Sequence, residues 1–395
     1  MAIAKGIQKS LEGSSLIRKM FEEGARRKQE FGADQVFDFS LGNPVFEPPK
    51  QVIDSLVAVL QSDTPGLHRY MPNAGLPETR AYIADKLSGL SGLAVEPQDV
   101  VMCVGAGGAL NVILRSILDP GDEVIVLAPY FVEYDFYIQN FGGSPVVVQT
   151  SADFTPDLDA IAASITSRTK AMLINSPNNP TGVVYTQEQL AGLSQLLLEK
   201  SKDYGEPISL ISDEPYRGII FDDIVVPSVM ALYPHTIVAT SASKELALPG
   251  ERIGYLGISP RHQDRDLLSQ AAALALRTLG FVNAPALMQR MLPMVDGVQV
   301  DTAAYEINRN LLYDHLIKLG FECVRPHGAF YLFPKCPNND EAEFIRQAQE
   351  LNLLVVPGSA FGKPGFFRLA YCFETEMIER SLPVFTELMR RVMPN

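Results

Sequence analysis

No run of apolar residues in this 395-residue chain approaches the ~20 needed to span a bilayer. Residues Met1–Ser10 carry two lysines and no apolar core of signal-peptide length, so the expectation is a cytoplasmic protein. Cysteine is scarce. Cys103, Cys323, Cys336 and Cys372 form neither a CxxC pair nor a zinc spacing. Each sits among apolar neighbours, where a reduced, buried thiol is expected. Positive charge is also short: 33 Lys and Arg against 46 Asp and Glu leave a net charge of −13. That speaks against the basic face of a nucleic-acid binder and against attachment to anionic membranes. An anionic ligand must then be met by a few placed cations. P-loop, GxSxG and HExxH patterns are missing, and the one near-match to GxGxxG, beginning at Gly105, has Leu110 in place of its third glycine. A nucleotide-binding oxidoreductase is disfavoured on that ground.

What remains is an ordinary globular composition, 47% hydrophobic and 20% charged. At about 150 residues per domain, the length predicts two or three domains. Seven short apolar runs punctuate the middle of the chain: Val100–Val104, Glu123–Leu127, Pro145–Val148, Ala171–Ile174, Ile208–Ile211, Thr236–Ala239 and Ile253–Ile258. Several show no polar alternation, as expected for strands buried on both faces of a mostly parallel sheet. Helical segments alternate with them. The fold class predicted is therefore α/β: a large domain with a mostly parallel seven-stranded sheet flanked by helices, plus a smaller α+β domain. Residues 51–285 form the large domain in this reading. Residues 1–50 and 286–395 form the small one, with helices at 11–35, Asp340–Leu351 and Thr375–Met393 and short strands at Phe321–Val324, Ala329–Phe333, Leu353–Val356 and Phe367–Leu369.

Ligands of open parallel sheets bind at the carboxyl ends of the strands, so the residues that follow each run carry the chemistry. After the first come Gly105, Ala106 and Gly107, small enough for backbone N–H groups to approach an anion at a helix start, or simply a tight turn. After the second come Tyr130 and Phe131, either of which could lie on a planar ligand or belong to the core. The fourth ends in a loop of two asparagines and two prolines, Asn178-Asn179-Pro180 included, that could fix an amide donor. The fifth ends in Asp213, with Tyr216 three positions on. The sixth runs into Ser241, Ser243 and Lys244, with Arg252 eight residues later. Two hydroxyls and two cations form a plausible phosphate site.

The ordered set Gly105-Ala106-Gly107, Asn179-Pro180-Thr181-Gly182, Asp213-Glu214-Pro215-Tyr216, Ser241-Ala242-Ser243-Lys244, Arg252 and Arg368 resembles the class I aminotransferases of the aspartate aminotransferase fold, from about Phe39 to Tyr371. The resemblance implies a cofactor, pyridoxal 5′-phosphate, carried as a Schiff base on Lys244. The freed lysine amine would then shuttle a proton. Asp213 would keep the pyridine nitrogen protonated. Tyr216 and Asn179 would bond the ring's phenolic oxygen, and Phe131 would stack on its face. Ser241, Ser243, Arg252 and the Gly105–Gly107 backbone would hold the phosphate, joined by Tyr70 from a neighbouring subunit of a homodimer. Arg368 would grip the substrate α-carboxylate with a planar fork, helped by Gly42 and Asn179. The implied reaction moves the amino group of an L-amino acid to a 2-oxo acid, with 2-oxoglutarate the expected acceptor, in ping-pong fashion; no metal is implied.

The resemblance thins at the substrate side chain. Some bacterial dicarboxylate-specific members place a lysine where this chain has Gly107, which puts strict aspartate specificity in doubt. Arg18, Arg277 and Arg290 are candidate replacements, while Tyr134, Phe281 and Tyr331 are candidates for a more apolar pocket. Two further readings stay open: a lyase acting by β- or γ-elimination, and a sensor domain without chemistry. The latter is weakened by the presence of Lys244, Asp213 and Arg368 together.

Overall fold

The computed structural model of the protein describes residues 2–4, 7–8, 16–337 and 340–393. Seven strands form its main sheet: β1 (Val100–Cys103), β2 (Glu123–Ala128), β3 (Ser144–Gln149), β4 (Thr169–Asn175), β5 (Ser209–Asp213), β6 (Thr236–Ser241) and β7 (Gly254–Ile258). Their spatial order is β1-β7-β6-β5-β4-β2-β3. Each of the seven apolar runs is one of these strands. Six run parallel to one another, and β7 alone runs against its neighbours β1 and β6.

The strands are apolar on both sides because both faces are covered. Val124 and Val126 of β2 point into one core with Ala109, Ile113 and Leu114 of helix Gly105–Ile117 and Ala272 and Leu276 of helix Arg265–Thr278. Ile125 and Leu127 point into another with Leu190, Leu193 and Leu197 of helix Gln187–Tyr204. Burying a side chain of this size stabilises by about 1.5–3 kcal/mol, so a polar residue at any of these positions would be costly. A third core joins Val100 and Met102 to Val52, Ile83, Leu87, Met288 and Met291.

A fourth core gathers the residues after the sheet. Leu312 and Leu316 of helix Ala303–Lys318, Phe344 of helix Glu341–Glu350 and Phe385 of helix Thr375–Val392 pack with Phe39, Phe367 and Leu369. Short strands accompany them: Phe37–Asp38 pairs with Leu353–Leu354, and Phe367–Ala370 lies between Val356–Pro357 and Tyr331–Leu332. The same core takes in Tyr216, Ile219 and Phe221 from beyond β5, so it meets the sheet at its carboxyl edge. Two expectations need adjustment here. The early helix runs Leu16–Phe31, with 11–15 outside the described residues. Phe321–Val324 is not a strand: its one backbone link to Lys335, donated to the Glu322 carbonyl at 2.9 Å, does not make a ladder. Phe321 is apolar because its ring packs against Phe367 and Phe344, not because it sits in a sheet.

Gly254, at the start of β7, shows how tightly the carboxyl edge is packed. A Cβ there would fall 2.4 Å from the Thr240 carbonyl oxygen and 2.8 Å from the Gly105 carbonyl carbon. Gly254→Ala is expected to destabilise the protein by about 2 kcal/mol through overpacking, read as a lower urea midpoint with an unchanged m-value.

Candidate active site

All six parallel strands point their carboxyl ends to one edge, and β7, running the other way, begins there. The register aligns the ends. Asn175 of β4 pairs with Asp213 of β5, and Ser241 of β6 pairs with Gly254 of β7, which in turn meets Cys103 of β1. The residues just outside these ends line one cavity of about 320 Å³. It brings together Gly42, Ala106, Gly107, Phe131, Asn179, Asp213, Tyr216, Ser241, Ser243, Lys244, Arg252 and Arg368. Gly105 lies behind it: its φ is +70°, and a Cβ would meet the Arg252 guanidinium at 2.7 Å. Tyr70 is absent from the cavity and stands 88% exposed.

One end of the cavity is cationic and hydroxylated. Ser241 caps the short helix Ala242–Glu245, and its Oγ donates to Ser243 Oγ at 3.0 Å. Arg252, held with φ at +53°, donates to the Pro249 carbonyl at 3.0 Å. Gly105–Gly107 opens helix Gly105–Ile117, so its free N–H groups and helix dipole face the same space. A phosphate dianion fits this set.

In the middle, Lys244 Nζ donates to the Gly42 carbonyl at 2.7 Å and lies 5.4 Å from the centre of the Phe330 ring. Burial brings its ammonium down to about 8; Cys372 opposes that shift, and the Arg368 and Arg252 charges reinforce it. Asp213 is buried, and its Oδ2 accepts from the Tyr134 hydroxyl at 2.5 Å. Burial pushes this carboxyl up to about 7, against the pull of the Tyr134 hydrogen bond and with a further push from Glu214. Its Oδ1 is buried and accepts from nothing. Such an atom calls for a donor, and a protonated ring nitrogen is one. Phe131 borders the cavity and meets the Tyr134 ring edge-on at 5.6 Å, whereas Tyr130 turns away to donate to Asp135 at 2.9 Å.

At the far side, Arg368 is buried. It donates to Asn179 Oδ1 at 3.0 Å and to the Ser40 carbonyl at 2.6 Å, while its Nε has no partner. Its guanidinium lies over Tyr331 and Phe361, 4.7 Å from each ring centre. Tyr331 shares a 2.9 Å hydrogen bond with Tyr216, and a Cβ on Gly42 would fall 1.9 Å from its oxygen. Only a glycine fits at 42.

Sequence reasoning missed one residue here, gave another the wrong role and misplaced others. Tyr134 borders the cavity not as an apolar wall but as the donor to Asp213. Glu133, which the sequence reading passed over, also borders it, with Oε2 buried and unpartnered. Phe281, Arg277 and Arg290 are not among the lining residues; Arg290 faces Glu78 at 3.5 Å. The side chain of Arg18 lies outside the described residues. The one local signal for Glu133 and Tyr134 as lining residues was their place two and three positions after Phe131, at the start of the next helix. Among the described residues, no group of His, Cys, Asp and Glu could hold a metal, and no helix is long and apolar enough to cross a membrane.

Fold and cavity together are those of an α/β protein with a lysine, a buried carboxyl and a group of cations and hydroxyls at the carboxyl edge of a mostly parallel sheet. The family model for aminotransferase class I and II matches residues 34–384, and the chain belongs to that family. It is 36% identical to a probable aspartate/prephenate aminotransferase of Thermus aquaticus, over 92% of this chain and 93% of that one. It is 32% identical to an aspartate aminotransferase of Geobacillus stearothermophilus, over 91% and 92%. Among solved structures it resembles an aminotransferase from Eubacterium rectale at a TM-score of 0.95, with 40% identity and 99% of both chains covered. It also resembles the aspartate aminotransferase of Thermus thermophilus with maleate, at a TM-score of 0.87, 30% identity, and 98% and 100% coverage. The protein is a pyridoxal-phosphate-dependent enzyme that transfers amino groups; elimination as its main reaction is not favoured.

In the cofactor-free chain, labelling of Lys244 by an amine-acylating reagent should rise about tenfold per pH unit below 8 and level off above 9. The sign follows from the lowered value: only the free amine reacts, and near pH 8 half of Lys244 is already free. Peptide mass spectrometry would read this against exposed lysines, whose labelling keeps rising to about pH 10.4.

Proposed function

We propose that Lys244 carries pyridoxal phosphate in this cavity, with Asp213 against the ring nitrogen, and that Arg368 receives the α-carboxylate of an amino acid or 2-oxo acid. The observation that carries the reading is that Lys244 and Asp213 border one cavity, with a buried Asp213 oxygen lacking a donor. Bound pyridoxal phosphate supplies an aldehyde carbon and an electron-withdrawing ring. The residues supply the rest. Ser241, Ser243, Arg252 and the Gly105–Gly107 backbone hold the phosphate. Tyr134 orients Asp213 and keeps one of its oxygens occupied. Asp213, raised by burial when it stands alone, would be held as an anion by a protonated ring nitrogen donating to its unpartnered Oδ1. Phe131, Asn179 and Tyr216 line the same cavity, where Phe131 would cover the ring and Asn179 and Tyr216 would bond its oxygen.

Arg368 is fixed by Asn179 and Ser40 with Nε unpartnered, so its fork is set before a carboxylate arrives. Gripping that carboxylate orients the Cα–H toward Lys244. Once the incoming amine has freed it, Lys244 would be the group that takes up and returns the Cα proton. Among the described residues no histidine borders the cavity, and the reading needs none for the proton step.

The relatives' names include aspartate. Here Lys244, Arg252 and Arg368 each have a place in this scheme, and Gly107 offers no cation for a second carboxylate. We further propose a cytoplasmic homodimer in which the exposed Tyr70 reaches the partner's phosphate end, and a cofactor-holding unit spanning residues 51–285.

Lys244→Ala should abolish turnover, by at least about 10⁴-fold, while the protein stays folded and still takes up pyridoxal phosphate without a covalent bond. Retained turnover would remove Lys244 from its role. Arg368→Lys should weaken substrate about 100-fold and cofactor little, since one point charge replaces a two-bonded fork. Equal losses of both would make Arg368 a structural residue; substrate and cofactor titrations separate the cases.

A further inference from the structure

Once the roles above are assigned, one charged group in the cavity is left over. Glu133 heads helix Glu133–Gln139, two residues past the ring-covering Phe131. It borders the same cavity as Gly107, Tyr137 and Arg368. Its Oε2 is buried and has no hydrogen-bond partner. Burial raises this carboxyl, and a hydrogen bond from its own backbone N–H opposes the rise, but neither gives Oε2 a partner. Arg368 is close enough to act on its charge, yet donates to Asn179 and Ser40 instead. Asp135, the other nearby carboxyl, accepts from Tyr130 and repels Glu133. Tyr137 faces the space that a side chain at Gly107 would fill, its hydroxyl 3.1 Å from where that Cβ would be. Among the lining residues, then, an unpaired acceptor is left over, while Lys244, Arg252 and Arg368 already have places in the scheme.

We propose that Glu133 sets side-chain preference: it accepts a hydrogen bond from a substrate whose side chain ends in a donor, above all an amide, and disfavours a terminal carboxylate. The inference rests on the proposed placement of the α-carboxylate at Arg368. Glu133 lines the same cavity within reach of the Arg368 charge, so a substrate gripped at Arg368 brings its side chain beside Glu133. A terminal N–H completes the ionised Oε2, whereas a terminal carboxylate sets two acceptors together unless Glu133 first takes up a proton, which burial already favours. The same group meets any 2-oxo acid, so 2-oxoglutarate enters with lower affinity than its monoamide. Glu133 touches no reacting atom in this scheme, and its effect is on binding.

The test uses the full-length holoenzyme and two probes alike except at one end, maleate and its monoamide maleamate. Their dissociation constants are measured by calorimetry for the wild type and for Glu133→Gln. The same pair of proteins is given asparagine and aspartate in the amino-donor half-reaction. A preference for the amide by about tenfold in both assays is expected in the wild type, since one charge-assisted hydrogen bond separates the probes. In Glu133→Gln the ratio should fall to about threefold or less. Ratios cancel any loss of folded protein or cofactor common to both probes. A wild type that binds maleate more tightly than maleamate overturns the proposal without needing any variant, and so does a ratio unmoved by Glu133→Gln. A different failure marks the underlying reading: if Arg368→Lys leaves the affinity for both probes unchanged, the α-carboxylate is not at Arg368 and the inference falls with it.

Discussion

The pairing register at the carboxyl edge is the constraint from which the site follows. Asn175, Asp213 and Ser241 end neighbouring strands, and Gly254 begins the one beside them. The strands leave no freedom to move one of these residues alone, because a slip of one residue would turn every apolar side chain on that strand to the other face. Val124 and Ile125 already belong to different cores. The burial that holds the sheet together therefore also fixes where the lysine, carboxyl and serine loops begin. The reversed direction of β7 belongs to the same arrangement. A parallel strand would deliver its carboxyl end here, whereas β7 delivers its start, and with it Arg252 two residues earlier.

Electrostatics at this edge work by removing water from a few groups of opposite kind. Burial weakens the charged form of Lys244 and of Asp213 alike, bringing the first down to about 8 and the second up to about 7. Each can then change charge within about a unit of neutral pH, and each gains when a ligand of complementary character arrives. A chain with net charge −13 cannot attract anions through its overall field. Local donors must do so: Arg252 and two hydroxyls at one end, and Arg368, backed by aromatic rings, at the other.

Much of this was legible in the sequence because long-range order leaves local marks. Strands buried on both faces read as unbroken apolar runs, and strand ends read as clusters of Gly, Asn, Asp, Ser and Lys. Both marks survive without knowledge of contacts. The direction of β7 left none, since an antiparallel strand buried on both faces looks like a parallel one. Phe321–Val324 misled for the converse reason: Phe321 is apolar through ring contacts with Phe344 and Phe367, in a segment without a ladder. Tyr134 was read as an apolar wall because a tyrosine's hydroxyl partner lies 79 positions away in Asp213. Nothing near Tyr134 in the chain signals that carboxyl.

Glu133 escaped notice for a more general reason, which bears on how such a site divides its labour. Residues at strand ends are tied to the sheet, so their chemistry is hard to alter without disturbing packing. Glu133 sits on a seven-residue helix beyond β2, with a half-buried side chain and no hydrogen bond to another side chain. Exchanging it would cost little stability, since no core apolar contact and no ladder bond depends on it. The proton-handling and phosphate-holding groups therefore lie where the fold is stiff, and the group that meets the variable end of a substrate lies where it is not. One scaffold can then keep a single reaction while its choice of side chain changes through a position that no strand constrains.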